Sequence, residues 1–167
     1  MRHFERLYIA QYCAARWPEG GYQLGYPLGP IPQESIKQLG YDEAARLWRP
    51  WRPEVDAVKF FDDGILLIEA KVFKVQEGVR ALRDYGDLVP YTEELRPWFT
   101  KPITLRLVVP RTTDIFLEQA RVRGIQVDVW VSPEIKARIA EYERYTTPEY
   151  QREKQLRGPK TGPLGMG

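Results

Sequence analysis

The sequence predicts one α/β domain built on a mixed central β-sheet flanked by helices, and three observations carry that prediction. Residues 55–61 (VDAVKFF) and 65–72 (ILLIEAKV) are β-branched and aromatic runs separated by the turn signal Asp62-Asp63-Gly64, the pattern of an antiparallel hairpin. Ile103–Val109, residues 114–123 and residues 125–131 then read as strand, helix, strand, an order that favours parallel pairing through a crossover. Stretches with three- and four-residue apolar spacing supply the flanking helices.

In chain order, residues 3–16 set Phe4, Leu7, Tyr8, Gln11, Tyr12 and Ala15 on one helical stripe, which Trp17-Pro18 ends. Residues 18–32 are rich in Gly and Pro, interleaved with Tyr22, Leu24, Tyr26, Leu28 and Ile31, and read as an ordered loop held down by its aromatics. Two short helices are expected over Gln33–Leu39 and 42–48, parted by Gly40, before the proline-punctuated segment 49–53. After the hairpin, Val79, Leu82 and Tyr85 recur at helical spacing up to Pro90. Gly124 closes the helix at 114–123, and Ser132-Pro133 caps a last one running to about Tyr145. We expect one domain over 1–145, with its core at about 52–131, and an arm or disordered tail over 146–167.

Composition narrows the chemistry. At 167 residues with 43% hydrophobic content the chain can build a real core, which excludes disorder over most of its length. A net charge of +2 excludes polybasic binding, so any nucleic-acid surface must be local. The single cysteine, Cys13, excludes a disulfide framework and multi-cysteine zinc sites, and we read it as a small buried hydrophobe. One histidine (His3, read as a surface or helix-end residue) and two serines (Ser35, Ser132) leave little for a Ser-His-Asp triad. No run approaches the roughly 20 apolar residues of a membrane span, and no secretory pattern opens the chain. The expectation is a soluble protein of the cytoplasm, or of an infected host cell or virion if phage-encoded.

The hairpin carries the informative constellation. With Asp63-Gly64 as the centre of a type I′ turn, Asp56 would lie opposite Lys71, and Val58 opposite Glu69. Alternate side chains share a face, so Asp56, Glu69 and Lys71 project together, with direct neighbours about 5 Å and diagonal ones about 7 to 8 Å apart. Two carboxylates with open coordination positions suit Mg²⁺ or Mn²⁺, and such ions accept phosphate oxygens, which points to a phosphodiester. Taken alone, E-x-K beside an Asp is also the pattern of a solvated ion-pair face worth under ~1 kcal/mol. Against that, residues 65–68 and Ala70 are apolar, marking a buried strand where unanswered charges are expensive.

Asp56, the hairpin turn and Glu69-Ala70-Lys71 resemble the PD-(D/E)XK nuclease superfamily, with Pro53 standing three residues before Asp56 rather than next to it. The resemblance spans about 52–131 in element order, and the N-terminal helix can serve as the first element. It implies a restriction endonuclease-like αβββαβ core and Mg²⁺- or Mn²⁺-dependent hydrolysis of DNA, as endonuclease or exonuclease. Asp56 and Glu69 would be metal ligands, the Ala70 carbonyl a further ligand, and Lys71 the catalytic lysine. Some members add a Glu from the first helix, here Glu5, and a Gln from the helix after the motif, here Gln76.

For DNA docking, Lys74 follows the motif and Arg80 and Arg83 lie on the next helix, positioned to contact phosphates; Arg111, Arg121 and Arg123 form a second basic group. Trp48 and Trp51 with Arg49 and Arg52 could stack on bases, but aromatics among prolines are read first as packing. Two other functions stay open: a noncatalytic nucleic-acid-binding or phage virion or assembly protein keeping the fold, and a small-molecule phosphoesterase. Residues 18–32 and the tail suit contacts with a second copy or a protein partner.

Overall fold

The computed structural model describes residues 2–150 and 152; the side chain of His3 and the tail beyond residue 152 lie outside the described residues. The chain forms two compact units, Met1–Val131 and Ser132–Gly167. In the second, helix α6 (Pro133–Thr146) starts as its sequence requires, with the Ser132 hydroxyl accepting the Ile135 N–H at 3.2 Å and proline at the first position. Among the described residues no helix is long and apolar enough to cross a membrane.

The first unit is α/β. Helix α1 (Arg2–Arg16) leads to strand β1 (Tyr22–Pro27), then helices α2 (Gln33–Leu39) and α3 (Tyr41–Trp48) and a 3₁₀ turn at Arg49–Trp51. Strands β2 (Glu54–Phe61) and β3 (Gly64–Ala70) follow, then α4 (Val75–Leu88), two 3₁₀ turns, β4 (Ile103–Val109), α5 (Asp114–Val122) and β5 (Ile125–Val129). The five strands lie in the order β1-β2-β3-β4-β5. β1, β2 and β3 pair antiparallel, whereas β3, β4 and β5 pair parallel through the α4 and α5 crossovers. The sheet is therefore mixed and open.

All seven residues of β3 are buried. Ile65 and Leu67 join Leu107, Val109, Val79, Leu82, Phe116 and Ala120 in one core under α4 and α5. Leu66, Ile68 and Ala70 alternate onto the other face, and α1, which runs against β1, β2 and β3, buries Tyr8, Ile9, Tyr12 and Cys13. Each buried Leu, Ile, Val or Phe among them contributes roughly 1.5–3 kcal/mol by leaving water, so the strand that carries the E-x-K motif is also the best anchored. The C-terminal half of α1 is tied to β5: Tyr12 donates to Asp128 at 2.7 Å and Arg16 pairs with the same carboxylate at 2.9 Å.

Two expectations change. The Gly/Pro-rich stretch 18–32 contains β1, whose register with β2 runs from Tyr22 opposite Lys59 to Pro27 opposite Glu54. An edge strand tolerates Pro27 and a positive-φ Gly25 because one side of its ladder needs no partner. The hairpin register also shifts: Phe61 faces Gly64, so Asp62 and Asp63 make the turn, neither with positive φ, and Val58 faces Leu67 instead of Glu69. Gly64 is a strand residue here. A Cβ on it would stand 2.7 Å from the Pro102 carbonyl oxygen, which accepts the neighbouring Ile65 N–H at 3.1 Å. Asp62 and Asp63 form the turn as expected, whereas the Gly64 part of the signal marks a close backbone approach. A shift by two residues preserves the alternation, so the shared face survives.

Replacing Gly64 by Ala should lower the unfolding free energy by about 1–3 kcal/mol, because the obstruction is backbone rather than a flexible side chain. An unchanged urea midpoint would show that the β3–β4 crossover yields at that point.

Candidate functional site

The register carried one pair beyond Ala57–Ile68 sets Asp56 across from Glu69. Asp56 Oδ2 accepts the Ala70 N–H at 2.9 Å, which ties the end of β2 to the end of β3. The Lys71 ammonium stands 2.9 Å from Glu69 Oε1 and 3.6 Å from Glu5 Oε2. Lys71 follows the last residue of β3, where its N–H still reaches the Val108 carbonyl at 2.9 Å. α4 presses close over this corner because residue 78 is glycine: a Cβ there would lie 2.8 Å from Lys71 Cγ and 2.6 Å from Leu107 Cδ1. These groups open into a cavity of about 620 Å³, to which α4 also contributes Tyr85.

The Glu69 side chain is 4% exposed, and its Oε2 atom is buried with no hydrogen-bond partner. Burial first, and the Asp56 charge second, push its carboxyl up to about 7, against the pull of Lys71. Asp56 is raised as well, by burial, although the Ala70 N–H and Lys71 oppose the shift. Burial works against the Lys71 charge, yet Glu69, Glu5 and Asp56 outweigh it and hold the ammonium above its ordinary value. Tyr85 is pushed up to about 12 by burial and by the Glu69 and Asp56 charges, so its hydroxyl remains a donor.

No three His, Cys, Asp or Glu side chains converge as a metal-holding group among the described residues. The two facing carboxylates nonetheless fit a hard divalent cation that keeps most of its waters: one buried oxygen lacks a partner, burial raises the proton affinity of both, and the Asp56 charge adds to that of Glu69.

Asp56, Glu69, Lys71 and Glu5 thus share one cavity, whereas Ala70 does not line it and is linked to it through the N–H it donates to Asp56. Gln76 does not: it bonds Gln119 at 3.1 Å and lines a separate cavity of about 580 Å³ with Lys74 and Arg111. Lys74 pairs with Glu77 at 3.1 Å, and Arg80 and Arg83 are exposed on α4 away from the carboxylate cavity. Five polar residues not singled out for this site also line it: Arg6, Arg49, Arg52, Glu54 and Tyr85. Only Glu54 carried a usable signal, since it shares the β2 face of Asp56 two residues away. Trp48 packs and donates its ring N–H to Ser35 at 2.9 Å, whereas Trp51 is 71% exposed. Cys13 is fully buried, and its thiol is pushed up to about 12 by burial and then by Asp56.

Comparisons with protein-family models, curated proteins and solved structures find no match.

A raised carboxyl pKa means that the folded state holds a proton that the unfolded chain releases. The contribution of Glu69 is therefore most favourable below the ordinary carboxylate range and is lost as pH rises towards 7. In chelator, Glu69→Gln should be more stable than wild type at pH 8, by on the order of 1–2 kcal/mol, and nearly equal to it at pH 4. Thermal melts at both pH values check this. Equal destabilisation at both would mean that the Lys71 contact outweighs the repulsion.

Proposed function

We propose that the protein is a metal-dependent DNA phosphodiester hydrolase of the PD-(D/E)XK type. The observation that carries this reading is the gathering of Asp56, Glu69 and Lys71 in one cavity around an unpartnered buried carboxylate oxygen. The element order supports it further: α1, β1, β2, β3, α4, β4 reads αβββαβ, with α2 and α3 inserted between the first two strands.

Asp56 and Glu69 would hold the cation. When bound, it supplies charge neutralisation at a phosphoryl oxygen and a more acidic water. The residues of the chain do the rest. Asp56, which lines the cavity, is oriented by the Ala70 N–H. Lys71 stays charged and is steered by Glu69 and Glu5, so it can bind a phosphate oxygen or orient the attacking water. Tyr85, protonated at all physiological pH values, can donate to a phosphoryl oxygen from the α4 side.

Cleavage of single-stranded, branched and duplex DNA in Mg²⁺ or Mn²⁺ tests the reading. Lys71→Ala should lose at least 100-fold in kcat while calorimetric Mn²⁺ binding persists, whereas Asp56→Ala should lose both. Wild-type turnover by Lys71→Ala would overturn the assignment. A wild type that binds DNA but never cleaves it would instead favour the noncatalytic role.

A further inference from the structure

Next to the carboxylate cavity lies a smaller one of about 330 Å³, and the two share a wall of Arg6, Arg49, Glu54 and Asp56. Arg6 comes from α1, Arg49 from the turn before β2, and Glu54 from β2 itself. Glu54 bridges both guanidinium groups, at 3.6 Å to Arg6 and 3.4 Å to Arg49. Counting Asp56 the wall is formally neutral, but with Asp56 committed to a cation the two guanidinium groups would face one carboxylate and leave a surplus positive charge. The Arg6 and Arg49 side chains are 72% and 50% exposed, so this charge is open to a ligand.

The wall is built. Arg49 donates to the Gly25 carbonyl at 2.8 Å. A Cβ on Gly25 would stand 2.9 Å from Glu54 Oε1, so the bridging carboxylate fits because residue 25 has no side chain. The segment holding Arg49 is fastened by Arg52, whose buried guanidinium grips Glu94 at 2.6 and 2.9 Å. Glu54 and Asp56 are two strand residues apart, about 6.7 Å along β2, on the scale of one nucleotide step. The smaller cavity adds the exposed apolar side chain of Leu24, a surface for a sugar or base, with buried Ile9 at its floor.

Resting on the hydrolase reading above, we propose that Arg6 and Arg49 grip the phosphate adjacent to the one addressed by Asp56, Glu69 and Lys71, and that the joined cavities are a track for a single DNA strand. Guanidinium groups match phosphate geometry and fix register without reading sequence. The Glu69 carboxylate lies well below the surface, so a backbone must bend into the cavity to reach it, which a free strand does more readily than a duplex.

The test is fluorescence anisotropy of a labelled oligothymidylate and of a duplex of equal length, over a salt series in Ca²⁺. Arg6→Gln/Arg49→Gln should weaken single-strand binding at least tenfold and flatten the salt slope by about 0.7 for the lost phosphate contact. Arg80→Gln/Arg83→Gln should give a line parallel to wild type. Glu54→Gln frees both guanidinium groups and should tighten binding at least threefold, which a merely structural role for the triad would not produce. Unchanged affinity and slope in Arg6→Gln/Arg49→Gln would overturn the proposal, as would tighter binding of duplex than of single strand by wild type. Hydrolysis of bis(p-nitrophenyl) phosphate by wild type in Mn²⁺ scores the hydrolase reading separately: failure there with the binding shifts intact leaves the track standing without the chemistry.

Discussion

Glu69 stands on a strand sealed on both faces, across from a second carboxylate, and a charge so placed costs several kcal/mol unless its neighbours answer it. The surrounding structure is arranged around that demand. Lys71 is drawn to one oxygen, the Ala70 N–H is given to Asp56, Glu5 closes on Lys71 from α1, and one Glu69 oxygen is left over. A purely structural ion pair would not need the left-over atom, and replacing such a pair by apolar residues is often neutral or stabilising. The presence of that atom on a strand buried along its whole length is what supports the proposed cation.

The fold places this demand at one end of the sheet. β2 and β3 bring the carboxylates together as cross-strand neighbours, and α4 can pack flat over them because Gly78 offers no Cβ. α1, anchored on Asp128 at its far end, extends Glu5 and Arg6 to the same corner. The cavity is thus assembled from α1, the turn before β2, both hairpin strands and α4, although its chemical centre is a short local motif.

That division explains what could be read in the sequence. The hairpin, α4 and the β4-α5-β5 crossover follow from period and punctuation, signals internal to each segment. The shared face of Asp56, Glu69 and Lys71 was legible because parity survives a two-residue shift of register, even though Gly64 belongs to the strand and not to the turn. β1 was not legible, since an edge strand with Gly25 and Pro27 has the composition of a loop and forms only because β2 offers it a ladder. Arg6, Arg49 and Glu54 are separated along the chain and meet only through the fold. Gln76 and Lys74 follow the motif closely in sequence, yet they line the other cavity, because the left-handed turn at Lys74 starts α4 with Gln76 bonded to Gln119 of α5.

The sealed position of β3 has a further consequence. Its backbone is hydrogen-bonded to β2 on one side and β4 on the other, so its amides are released to solvent only when the whole sheet opens. β1 has a neighbour on one side alone and can fray without disturbing the rest. Amide exchange across the cavity should therefore be graded, slowest along the strand bearing Glu69 and fastest along Tyr22–Pro27. The carboxylate pair belongs to the last part of the molecule to come apart, while the wall beside it rests on one of the first.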